Sequence, residues 1–196
     1  MIDVDFGGGR TNVVKSFGEP PVNPSGFRTE LEAVAFASGA TLKRELAAAP
    51  RGHFWSAHTL EYRVDLFTPE GRLARSIVRV ANWFPPRRTV SLNSSWAERP
   101  EPWTAAIRHD AQNRLWIAIW VADANWQPQE AGAGFSPARA RDTILEVIDL
   151  DALSLLASTR IDGVVSDFVG EDMMITREED PTGLVHLAIW KLRFDR

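Results

Sequence analysis

The sequence predicts an all-β chain, a partial β-propeller of about three four-stranded antiparallel sheets preceded by an N-terminal hairpin. Two observations carry this. First, three stretches repeat one plan: an apolar strand, a tight turn, then further strands ending in the same hydrophobic pattern. A repeated unit of this kind cannot bury its own faces alone, so neighbouring units must stack. Second, runs such as RLWIAIWVA from Arg114 and TILEVI from Thr143 are apolar at nearly every position, which demands burial on both faces, while the short turns between strands demand antiparallel pairing. Sheets piled on sheets meet both demands. A β-sandwich is the alternative, but its strands alternate apolar with polar residues because one face meets water.

The units follow in order. The first, 44–80, holds a short strand from Arg44, an Arg51-Gly52 turn, HFWSAHT from His53, EYRVDLFTP from Glu61, a Glu70-Gly71 turn and LARSIVRV from Leu73. The second, 104–162, holds TAAIRHD from Thr104, a turn over 111–113, RLWIAIWVA, DTILEVIDL from Asp142 and SLLASTRI from Ser154. The third, 163–194, holds GVVSDFVG from Gly163, a Glu171-Asp172 turn, MMITREED from Met173 and LVHLAIWKLRF from Leu184, and so ends one strand short. The units overlay at two places. Phe54-Trp55-Ser56-Ala57 aligns with Leu115-Trp116-Ile117-Ala118, and Val64-Asp65-Leu66-Phe67 aligns with Leu145-Glu146-Val147-Ile148 and Leu187-Ala188-Ile189-Trp190. Segment 1–43 reads as a hairpin turning at Gly7 to Gly9, a remnant of a preceding blade, followed by an irregular linker from Pro20.

These residues resemble a family. The runs FWSAHTLEYRVDLFTPEGRL, NWFPP, NRLWIAIWVA, DTILEVIDL and ITREEDPTGLVHLAIWKLRF are similar to the C-terminal half of bacterial six-bladed β-propeller proteins of unknown function, over 44–194. The resemblance implies further blades upstream and an extracytoplasmic full-length form, whereas MIDVDFGGGR shows neither the basic nor the apolar region of a secretory signal. Propellers close with four to eight blades. The expectation is therefore a fragment of a longer protein, a ring completed by a second copy, or a last blade completed by the strand at 11–17.

Composition removes some functions. A net charge of -4 gives no basic excess for nucleic acid, and the absence of cysteine removes disulfides and thiolate metal sites. No uninterrupted apolar run is long enough to cross a bilayer. The histidines His53, His58, His109 and His186 show no metal-ligand spacing, and there is no Gly-x-Ser-x-Gly elbow, P-loop or calcium-loop pattern. No catalytic residue, metal ligand or cofactor is assigned.

Loop lengths locate the binding face. In a four-stranded meander the first-to-second and third-to-fourth turns share one rim, and these turns are tight throughout. The long insertions 81–103 and 123–141 fall in the other class and are expected together on the opposite rim, where elaborated loops carry function. Candidate ligand contacts there are Trp83, Arg87, Arg88, Trp96 and Trp126, with His58 at the end of a second strand beside that rim. Aromatic rings beside guanidinium groups stack on sugars or peptides and bind carboxylates. The plainer reading is that a loop tryptophan plugs the loop onto the sheet beneath it, and that Trp55, Trp116, Trp120 and Trp190, within strands, are packing residues. The sequence thus points to a non-catalytic module binding a small molecule, glycan or protein. A metal-dependent propeller hydrolase or lactonase, needing carboxylates and His58 to converge on a divalent metal, is one alternative, and a truncated fragment without independent function is the other.

Overall fold

A computed structural model describes residues 2–4, 11–13, 44–59, 61–85, 99–128, 137–180 and 182–194. The chain is all-β, and its sheets form an open, propeller-like stack. Strands β1 (Ile2–Val4) and β2 (Thr11–Val13) pair with each other in a hairpin of their own. The first large sheet runs β3 (Arg44–Ala48), β4 (Phe54–His58), β5 (Arg63–Phe67) and β6 (Leu73–Val78). The second runs β7 (Trp103–His109), β8 (Arg114–Ala122), β9 (Arg141–Asp149) and β10 (Ser154–Ile161), with a short helix, α1 (Pro137–Ala140), ahead of β9. The third has three strands, β11 (Val164–Val169), β12 (Met173–Glu179) and β13 (Val185–Lys191). Every neighbouring pair is antiparallel. The first strands of successive sheets lie side by side, β7 between β3 and β11, so the sheets stack in a propeller-like series. The expected strand at 11–17 lies partly outside the described residues, and its described part, Thr11–Val13, pairs with β1.

One hairpin design recurs. At 68–72, 110–114 and 180–184 the first residue donates its backbone N–H to the carbonyl four residues on, at 2.9, 2.9 and 3.0 Å, and accepts from the N–H three residues on, at 2.8, 3.2 and 3.0 Å. That is a type I turn closed by one left-handed residue. The left-handed positions are Gly71 (φ 75), Asn113 (φ 57) and Gly183 (φ 88), residue types that tolerate this region. In the second and third sheets an aspartate opens the turn and holds it. Asp110 Oδ1 accepts the N–H groups of Gln112 and Arg114 at 2.9 and 3.0 Å, and Asp180 Oδ1 accepts those of Thr182 and Leu184 at 2.8 and 3.0 Å.

The core lies between sheets. Trp55, Ala57 and Val64 of the first sheet pack against Ile107, Leu115, Ile117, Ile119 and Ile148 of the second. The opposite face of the second sheet packs Trp116, Ala118, Leu145 and Val147 against Val165 and Met174 of the third. Each such side chain, fully buried, contributes roughly 1.5–3 kcal/mol. The aligned residues Trp55 and Trp116 thus play the same part, each facing the next sheet. Leu187 and Ile189, aligned with Val64 and Leu66 and with Leu145 and Val147, stand 70% and 68% exposed. Trp190, expected to pack, is 48% exposed for a related reason: it lies on the third sheet's last strand, without a fourth beside it among the described residues, and its Nε1 donates to Thr176 Oγ1 at 2.8 Å.

Polar links pin the stack. Glu146, wholly buried in β9, accepts two hydrogen bonds from Arg79 Nη1 at 2.8 and 2.9 Å, one from Ser158 Oγ at 3.0 Å and one from the Tyr62 hydroxyl. Tyr62 and Arg79 belong to the first unit, so this carboxylate joins two sheets. Burial, and then the Glu146 charge, push the Tyr62 phenol pKa well up, so it stays a donor. Between the second and third sheets, buried Thr143 Oγ1 donates to Gly163 O at 3.0 Å and accepts from Val165 N at 2.9 Å, and Trp120 Nε1 donates to Val165 O at 2.8 Å. Glu146→Ala strands the Tyr62 hydroxyl and half-buried Arg79, and a loss of roughly 2–4 kcal/mol in urea unfolding is expected. Ser158→Ala, which removes one hydrogen bond of four, is expected to cost under about 1 kcal/mol in the same measurement.

Candidate functional site

The described ends of the two insertions, 81–85 with 99–103 and 123–128 with 137–141, lie on one rim. In the first, Phe84 is buried and closes a small bridge with Ala81, and its ring lies 5.8 Å from Tyr62. Trp83 lies 6.1 Å from Tyr62 and 6.0 Å from Phe84, so one part of the indole is plugged onto the first sheet. From the second insertion Ala140 O accepts Asp123 N at 3.0 Å, and Arg141 Nη1 at the start of β9 donates to Glu101 O of the first insertion at 2.7 Å. Between them opens a cleft of about 350 Å³ lined by Trp83, Arg99, Pro102, Val121, Ile144 and Arg160, among others. Its walls combine an indole, prolines and aliphatic side chains with the guanidinium groups of Arg99 and Arg160, and Glu101 also lines it.

Beside the cleft three carboxylates converge. Oxygens of Asp123, Asp142 and Asp162 all lie within 4.8 Å of one another. They come from the end of β8, the start of β9 and the link into β11, all on this rim. Such a group suits a hard cation. One position is already engaged, because Arg160 Nη1 donates to Asp142 Oδ2 at 2.5 Å and Ala124 N donates to the same oxygen at 3.1 Å. Burial, with the Asp123 charge adding to it, raises the Asp142 pKa against the opposing pull of Arg160.

His58 sits in a different cluster, on the face of the first sheet away from the second. Its Nε2 lies 2.9 Å from Asp65 Oδ2 and its Nδ1 3.0 Å from Glu61 Oε1. Asp65 Oδ1 also accepts from Ser76 Oγ at 2.6 Å and Arg63 Nε at 2.9 Å. With both ring nitrogens engaged, His58 orients a buried carboxylate and offers no free nitrogen as a base. It does not join the three aspartates.

The remaining candidates divide. Trp83 lines the cleft, and Trp126, half-buried, follows a turn in which its N–H donates to Asp123 O at 3.1 Å. Arg87, Arg88 and Trp96 lie outside the described residues. Arg139 is taken up by the third sheet, its Nε 3.0 Å from Glu179 and its Nη2 donating to Asp180 O at 2.8 Å. Sequence reasoning missed Arg99, Arg160 and the three aspartates. Arg160 is the next-to-last residue of β10, and its place near a strand end beside the loop-rich rim is the one signal that could have found it.

No protein-family model and no curated protein matches the chain. Its class therefore rests on the fold: an all-β chain of stacked antiparallel sheets with one loop-rich rim. Among the described residues no helix is long and apolar enough to cross a membrane.

The His58 cluster generates a pH prediction. Burial alone would raise the Asp65 pKa, but hydrogen bonds from Ser76, His58 and Arg63 together hold it below its ordinary 3.8. Its contribution to stability is complete above that value and is lost as pH falls through the lower native pKa. Burial lowers the His58 pKa, with the Asp65 hydrogen bond opposing, so acidification below 6.5 already begins to cost stability. Unfolding midpoints measured across this range should fall in two stages, and Asp65→Asn should remove the lower one.

Proposed function

We propose that the chain is a non-catalytic binding module whose ligand enters the rim cleft beside Trp83. The observation that carries this reading is the cleft itself: an indole and aliphatic walls with Arg99 and Arg160 at hand, at the junction of the two long insertions. The ligand class it suits has a flat apolar face and a carboxylate, as in a uronic-acid-containing glycan or a small organic acid, since rings stack on indole while carboxylates pair with guanidinium. The metal-dependent hydrolase has less support, because His58 is engaged on another face and Arg160 already holds Asp142. The resemblance to the C-terminal half of six-bladed propellers supports placing the sheets in a larger ring, closed by further blades or by a second copy. The exposed stripe of Leu187 and Ile189 agrees with that placement.

The test is calorimetric titration with uronate oligosaccharides and aromatic carboxylic acids. Arg99→Ala, at an exposed position, should weaken binding about tenfold, the equivalent of ~1.4 kcal/mol, without moving the unfolding midpoint. Trp83→Ala should weaken it at least as much. Binding that survives both substitutions undiminished, or no binding by any of these ligands, would sink the proposal.

A further inference from the structure

On the opposite rim, where the tight turns lie, the first and second sheets flank an open pocket of about 320 Å³. Two of its lining residues carry buried polar atoms without a partner. Trp55 is 1% exposed, and its Nε1–H meets no acceptor. His109, whose ring stands edge-on to Trp55 at 6.4 Å, has a buried Nδ1 that is likewise unmet. Neighbouring bonds assign the roles. Asp151 Oδ1 can only accept, so Asn113 Nδ2 donates to it at 2.7 Å, and Asn113 Oδ1 is therefore the acceptor facing His109 Nε2 at 2.9 Å. His109 Nε2 is thus the donor in that bond, and the tautomer it selects presents Nδ1 as a lone pair. The pocket holds one unmet donor and one unmet acceptor. Buried polar atoms are ordinarily paired, so such a couple calls for an external partner.

The repeat tells which partner. In the second sheet Trp116 Nε1, the counterpart of Trp55, donates to Asp110 Oδ2 at 2.7 Å, and Arg114 Nε donates to the same oxygen at 2.7 Å. Asp110 N bonds Arg114 O at 2.9 Å just as Ala49 N bonds His53 O at 2.9 Å, so Ala49 stands where Asp110 stands and His53 where Arg114 stands. The first sheet has kept the indole donor and lost the carboxylate that receives it. Ala49 and His53 line the pocket, and so do the guanidinium groups of Arg51 and Arg75, with one carboxylate, Asp151, which is bonded to Asn113 Nδ2 at 2.7 Å. Arg75 is anchored there by Nη1 donating to Leu150 O at 3.0 Å.

We infer that this pocket is a second binding site, for a small hydroxycarboxylate. Its carboxylate takes the place that Asp110 fills in the second sheet and accepts from Trp55 Nε1, with Arg75 and Arg51 balancing the charge. Its hydroxyl donates to His109 Nδ1. The site lies on the rim opposite the Trp83 cleft and does not depend on it.

The experiment follows the indole N–H resonances of the ¹⁵N-labelled intact chain, with the Trp55 peak identified by its loss in Trp55→Phe. Lactate or glycolate, at ionic strength matched with chloride, should shift that peak saturably and raise the unfolding midpoint, and acetate should bind at least tenfold more weakly. Ala49→Asp should restore the missing acceptor, raise the midpoint without ligand and abolish the lactate shift. Arg75→Met should weaken lactate at least tenfold, and Trp83→Ala should leave it unchanged. An unmoved Trp55 peak at saturating acid, the signature of a pocket holding water alone, would overturn the inference. So would equal affinities for acetate and lactate, or full lactate binding by Ala49→Asp.

Discussion

The middle sheet is buried on both sides, and the rest of the structure follows from that constraint. β8 is apolar at eight of its nine positions, with Ile117 and Ile119 facing the first sheet and Trp116 and Ala118 facing the third. A strand of this composition has no side to offer to water, so it requires a neighbour on each face. The two interfaces then fix where every rim loop starts. Glu146 adds direction to an otherwise non-directional contact, because a buried carboxylate must find its donors, and those donors come from the adjoining unit.

This architecture separates scaffold from chemistry. Strand interiors supply packing, whereas the polar side chains with unusual surroundings gather at the two rims. One rim collects the ends of β8 and β10, the start of β9 and the insertions, and so brings together groups that no local sequence window contains. The other rim is built from turns of nearly constant length, and its chemistry arises where one copy of the repeat departs from another. Substituting a single turn residue, Ala49 in place of an aspartate, changes a self-satisfied hairpin into one with an unanswered donor.

Much of the fold was legible in the chain. Both faces of β8 could be read from its unbroken apolar run, and the overlay of Trp55 on Trp116 correctly paired residues that face the next sheet. The alternation of side chains within strands was less visible. His58 ends its strand beside the loop-rich rim, as expected, but its side chain lies on the outer face with Asp65, because direction along a strand does not decide the side of the sheet. Asp123, Asp142 and Asp162 were not legible as a group: each looks like an ordinary strand-end aspartate, and only the pairing of β8 with β9 and the step into β11 brings them close. α1 is too short to leave a periodic signature, and Trp190, on the last strand of the third sheet among the described residues, is half-exposed where packing was expected.

The recurring turn is also a ruler. Because its closing bond spans a fixed number of residues, each copy hands the following strand over with the same parity, and after 49–53 and 110–114, the two turns that open a second strand, Trp55 and Trp116 two positions on both face the next sheet. One residue added or removed there would rotate the whole strand inside out, exchanging its oily side for its wet one. Drift in such a chain can therefore rewrite nearly any letter of the turn while its length stays under strict control, which explains how units so different in spelling still stack alike.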